Sequence, residues 1–264
     1  LPARRAIRRW SIPASMIASA RAQFDPPGTP RPAVTPEDLA AYQKMQAEQR
    51  EKDWGNLCYF RADNAALAAL PTPADRIVFM GDSITQLWGF AKPQDFGPAR
   101  VNRGISGQTT PQMLLRFKQD VLSLKPAAVH ILAGINDVAG NTGPTTLKDI
   151  QNNITSMVEL AKAHGVTVIL ATPLPADRFN WAPQMKPAPT VIAYANWIRR
   201  YAAEQDLVLA DYYPVLATPR RRTQTRSRPR RRPPEQGRLR TDEADPGYGH
   251  RRGVEPLDPP DSAE

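Results

Sequence analysis

Cysteine is nearly missing from this chain. Cys58 is the only one, which excludes an internal disulfide framework and any site built on several thiolates. Long apolar runs are missing too: no stretch approaches the ~20 consecutive apolar residues of a membrane-spanning helix. The hydrophobic fraction of 41% over 264 residues is nevertheless that of a globular core. Histidine is scarce, with His130, His164 and His250 the full set. Lysine is absent from residue 219 onward, where twelve arginines stand against eight acidic residues.

The formal charge of +9 is therefore an affair of the two ends. Residues 1–34 hold six arginines and one acidic residue, while residues 35–218 hold seventeen basic and seventeen acidic side chains. The body of the chain is neutral, so its charge carries no information about a substrate. The arginine-rich tail, 219–264, is broken by proline and interspersed with acids, and it offers only Tyr248 for base stacking. Nucleic acid is not an expected partner. Three regions follow: a basic, Pro-rich start over 1–34, a domain over 35–218 and a tail over 219–264. Near the start, Ala20-Arg21-Ala22 has the small-x-small form of a signal-peptidase site. The run before it is short and interrupted by Ser11, Pro13 and Ser15. Export and a cytoplasmic location both stay open.

The domain is arranged around Arg76 to Thr85, R-I-V-F-M-G-D-S-I-T. Ile77 to Met80 read as a strand buried on both faces, ended by Gly81. Ser83 then lies at the carboxyl rim of the sheet, where open α/β folds place ligands. A second reading gives it only the job of capping the next helix. Upstream, Thr35-Pro36-Glu37-Asp38 signals a helix start, with the helix running to Trp54, and a second helix covers 62–70. Downstream, strands near 99–102, 127–133, 166–171 and 207–210 alternate with helices opening at Thr110, carrying Leu147 to Ala161, and carrying Val191 to Tyr201. That alternation predicts a parallel sheet with helices on both faces.

Three strand ends are polar and glycine-containing: Gly81-Asp82-Ser83, Asn102 to Gln108, and Gly134 to Asp137. Parallel strands share their carboxyl edge, so a serine hydroxyl, a flexible backbone N–H and a carboxamide would converge there. Such a set suits acyl transfer, with a nucleophile and donors for the developing oxyanion. Singly, Gly107 reads as a turn glycine and Asn136 as a loop-capping amide. Together, at successive strand ends, they favour function.

The blocks G-D-S-I-T, N-R-G-I-S-G-Q-T-T and A-G-I-N-D-V-A-G-N-T-G resemble the first three signature blocks of the GDSL/SGNH hydrolases, which are serine esterases and acylhydrolases. The resemblance runs from about Arg76 to Val215. It implies a three-layer α/β/α, flavodoxin-like fold on a five-stranded parallel sheet. It implies Ser83 as nucleophile, with an oxyanion hole from the backbone N–H of Ser83 and Gly107 and the Asn136 side chain. It implies a small-molecule ester substrate and no metal or organic cofactor. Phe179, Trp181 and Pro183 are expected near the acyl or alcohol group.

One block of the family, D-x-x-H-P, is missing after the fifth strand. His130 falls inside a strand and His164 at a helix C-terminus. His250, five residues after Asp245, is the only other candidate base. Residues 230–239 admit codons that read D-G-V-H-P-N-K-A-G-Y after a one-base shift, so the tail is expected to be out of frame. The final helix is then expected to be missing as well. Such a chain should be nearly inactive and prone to aggregate; a ligand-binding protein without turnover is the alternative.

Overall fold

The computed structural model describes residues 35–179, 182 and 184–217. The expectations for 1–34 and for the tail, including Asp245, His250 and a lost final helix, lie outside those residues, as do Trp181 and Pro183.

Helix α1, Pro36–Lys52, starts as its sequence dictates: the Thr35 side chain accepts a hydrogen bond from the Asp38 N–H at 3.1 Å, with proline in the first turn. Helix α2, Arg61–Ala68, follows. Five strands then alternate with helices: β1 Ile77–Gly81, α3 Ser83–Ala91, β2 Arg100–Gly104, α4 Thr110–Asp120, β3 Ala128–Leu132, the single turn α5 Ile135–Val138, α6 Leu147–Ala163, β4 Thr167–Ala171, α7 Ala188–Glu204, β5 Val208–Ala210 and α8 Tyr212–Ala217. All pairings are parallel, in the order β2-β1-β3-β4-β5. This is the three-layer α/β/α arrangement expected from the sequence.

Side chains alternate between the two faces of each strand. Val78, Met80, Val129, Ile131, Val168 and Leu170 lie on one face and form a single buried cluster with Met113 and Phe117 of α4, Ile150, Ile154 and Met157 of α6, and Val191 and Ile198 of α7. On the other face Phe79, His130, Ile169 and Val208 form one register row. There Phe79 meets Trp88 of α3 edge-on, with ring centroids 5.3 Å apart. Burying apolar area on both faces, at ~25 cal/mol per Å², is what holds the sheet. Phe179 joins the core and is only 2% exposed, so it packs rather than lining an open pocket. No helix among the described residues is long and apolar enough to cross a membrane.

Candidate functional site

Strand β1 lies between β2 and β3, with Gly81 in register with Gly104 on one side and Leu132 on the other. Ser83, Gly107 and Asn136 each follow one of these three registered positions by a few residues. Neighbouring strands are ~4.8 Å apart, so the Ser83 turn is flanked by the Gly107 turn and the Asn136 turn. The connections from β1 to β2 and from β2 to β3 run in opposite directions across the sheet, which makes this rim its topological switch point.

Asp82, not Ser83, caps α3. Its side chain accepts a hydrogen bond from the Ile84 N–H at 2.9 Å, and its backbone is non-helical. Ser83 is the first helical residue and is half-buried. Its N–H belongs to the first turn, where no helical carbonyl reaches. Its hydroxyl has no hydrogen-bond partner among the described residues. The capping reading of Ser83 is thereby displaced by its neighbour. The close seating of α3 on β2 depends on Gly104: a Cβ there would stand 2.3 Å from the Gln86 nitrogen and 2.8 Å from the Asp82 carbonyl oxygen.

Gly107 has φ +78°, the conformation that glycine adopts without strain. Its carbonyl accepts from Asn141 Nδ2 at 3.1 Å, and its N–H has no protein acceptor among the described residues. Asn136 is 3% exposed. Its Nδ2 donates to the Gln108 carbonyl at 2.9 Å, and its Oδ1 accepts from Asn141 Nδ2 at 3.0 Å. A carboxamide nitrogen carries two protons, so one donor remains beyond the Gln108 bond. Asn141 thus ties the Gly107 and Asn136 turns together.

Three further contacts fix these turns to the scaffold. Gln86, one turn into α3, accepts from both the N–H and the hydroxyl of Ser106. Asp137 accepts from the N–H of Thr110 at 2.9 Å and from its hydroxyl, clasping α5 to the start of α4. Arg116, fully buried, donates to the Arg103 carbonyl at 2.8 Å, to Gln108 Oε1 at 2.6 Å and to Asp120 at 3.2 Å. Burial of that guanidinium lowers its pKa, which the Asp120 carboxylate partly offsets. Asp82 pays for its position in electrostatics: burial, then the nearby Asp137 charge, push its pKa up to about 7, and its Oδ2 has no partner among the described residues.

The two histidines among the described residues stand elsewhere. His130 is in the middle of β3, bonded through Nε2 to the Tyr212 hydroxyl at 3.0 Å, and burial lowers its pKa to about 4. His164 caps the C-terminus of α6, just before β4 begins, and so belongs to the opposite rim. Sequence reading does not single out Asp82, Gln86, Arg116, Asp137 or Asn141. A signal exists for three of them: Asp137 and Asn141 fall inside the block A-G-I-N-D-V-A-G-N-T-G, and Arg116 interrupts the apolar stripe of α4.

A family model described as the GDSL-like lipase/acylhydrolase family matches residues 79–231. A GDSL-like lipase from Bacteroides thetaiotaomicron superposes with a TM-score of 0.59 at 40% identity, covering 62% of this chain and 80% of that one. An acetylxylan esterase from Geobacillus stearothermophilus is 25% identical over 169 residues, 52% of this chain and 75% of that protein. An uncharacterized lipoprotein of Bacillus subtilis is 40% identical over 83 residues. The chain spans about a third of that lipoprotein, 34% of its length.

Proposed function

Because the chain belongs to the GDSL-like lipase/acylhydrolase family, we propose that it is a serine esterase that cleaves a small-molecule carboxylic ester through an acyl-enzyme on Ser83. The Ser83 oxygen attacks the ester carbonyl carbon, and the carbonyl oxygen becomes an oxyanion. The N–H groups of Ser83 and Gly107 and the second Nδ2 proton of Asn136 stabilise that charge. Collapse expels the alcohol, which takes up a proton, and leaves the acyl group on Ser83. Water then attacks the acyl carbon, releasing the acid and restoring the hydroxyl.

The observation that carries this reading is the register of β2, β1 and β3 combined with the Asp82 cap. Together they leave an uncommitted hydroxyl on the middle strand of the rim, with donors on both neighbours. Every step above also needs a group to accept and return the serine proton. Of the two histidines among the described residues, neither His130 nor His164 is positioned for that, which supports the reading that activity in this chain is impaired. Hydrolases lacking a triad member keep ~10³–10⁴-fold catalysis over water through binding and the oxyanion hole.

Exogenous imidazole tests the reading by standing in for the base. Turnover of p-nitrophenyl acetate by the full chain should rise with imidazole well above the rate given by S83A in the same buffer. Equal rates would overturn the assignment of Ser83. They would instead favour a ligand-binding protein of the same fold, the reading that the missing base otherwise supports.

A further inference from the structure

Two of the three proposed oxyanion donors come from backbone that does not hold its own shape. Gly107 follows β2 in a turn, and a glycine leaves φ +78° easily unless something restrains it. Asn136 stands on α5, a single turn of four residues whose N-cap, Gly134, makes no side-chain cap bond. One turn of helix is far below the length that supports itself in water. The Ser83 N–H differs, because Asp82 caps the nine-residue helix that carries it. The aim of the other two donors therefore depends on contacts from elsewhere in the chain.

Asn141 makes those contacts. Its Nδ2 carries two protons, and it donates to the Gly107 carbonyl at 3.1 Å and to Asn136 Oδ1 at 3.0 Å. Its backbone N–H also donates to the Asn136 carbonyl at 3.0 Å, so two bonds join the two asparagines. With Oδ1 held by Asn141 and Nδ2 on the Gln108 carbonyl, the Asn136 carboxamide has one orientation. Turned over, it would set its oxygen against the Gln108 carbonyl and its nitrogen against that of Asn141. The Asn141 turn is itself anchored. Gly140 and Gly143 take φ of +72° and +109°, the Gly143 N–H donates to the Gly140 carbonyl at 3.1 Å, and the Thr142 and Thr109 hydroxyls bond at 3.1 Å.

We propose that Asn141 is a positioning residue for the oxyanion hole, a single carboxamide that aims both the Gly107 N–H and the second Nδ2 proton of Asn136. The inference rests on the Ser83 reading and adds to it the group that holds two donors in place. Asn141 acts only through those donors. Its contribution therefore belongs to the transition state, where the ester carbonyl oxygen gains charge, and not to binding of the ester.

The test is turnover of p-nitrophenyl acetate by the full chain in imidazole buffer, with kcat and KM read separately. N141A should lower kcat about tenfold or more and leave KM within about twofold. Removing an oxyanion donor outright costs ~10²–10³-fold, so N136A should cost more. The decisive comparison is the double variant. Once Asn136 is gone, N141A should lower kcat by no more than about threefold, the part passed through Gly107. A side chain that merely stabilises the fold would cost the same factor in both backgrounds. N141L, similar in shape to asparagine but without its donors, repeats the cycle, and urea midpoints report whether each variant is folded. Equal losses from N141A in the two backgrounds, a raised KM with kcat unchanged, or loss of the folded state in both N141A and N141L would overturn the positioning role and leave the esterase reading standing. Parent turnover no higher than that of S83A would sink the esterase reading instead, and the positioning role with it.

Discussion

Asp82 shows how one side chain can serve the fold and strain it together. Its cap holds the first turn of α3, and replacing such a cap with alanine costs about 0.5–2 kcal/mol. Its burial also makes stability depend on pH. The folded-state pKa, about 7, lies above the ordinary 3.8, so between those values the folded chain holds a proton that the unfolded chain has lost. Stability therefore falls as pH rises through that window, by up to ~1.4 kcal/mol per pH unit. His130 has the opposite sign: its pKa drops from 6.5 to about 4, so its contribution grows as pH rises from 4 to 6.5. The two offset each other over most of the acid range. Denaturant titrations should show stability falling from pH 4 to 7 in H130F, where the opposing His130 contribution is gone. They should show it rising from pH 4 to 6.5 in D82N, which keeps the acceptor for Ile84 but cannot ionise. At this scale the sequence offered Ser83 two jobs. It could not say which, because a capping serine and a capping aspartate next to it look alike until the turn is built.

The elements were more legible. Each interior strand is a short apolar run closed by glycine or polar residues, and β1, β3 and β4 formed within a residue or two of where pattern placed them. The helices followed from caps and spacing: α6 opens on a Thr146–Asp149 capping box and closes at Gly165 with φ +70°. Helix α8 was not foreseen, because six residues behind a strand carry no periodicity to read. The clasps between turns were equally hidden, since Thr110 and Asp137 lie 27 residues apart. Two variants test how these contacts hold the rim. T110V removes the hydroxyl that bonds Asp137 and should cost about 1–3 kcal/mol in urea denaturation. G104A puts a methyl against the backbone of α3 and should cost a similar ~1–3 kcal/mol. Imidazole-dependent turnover should fall further in G104A than in T110V, because the methyl displaces the helix that carries Ser83.

At the largest scale, the weak border among the described residues is the sheet edge at β5. Val208 is 54% exposed there, and Val215 on α8 is 74% exposed, with Leu209 and Leu216 close by. An open edge strand with apolar side chains invites pairing between chains. Light scattering of the full chain should show concentration-dependent association, which V208K with V215K reduces; a monodisperse monomer at every concentration would contradict this. The same border is where sequence and scaffold part: the parallel sheet and the three polar turns along its rim were readable from the blocks, whereas the source of a proton acceptor was not. The most direct test of the proposed chemistry is peptide mapping by mass spectrometry after prolonged fluorophosphonate treatment, with imidazole present. One adduct is expected, on the peptide containing Ser83, and none in S83A. An intact Ser83 peptide beside label on another residue would contradict it.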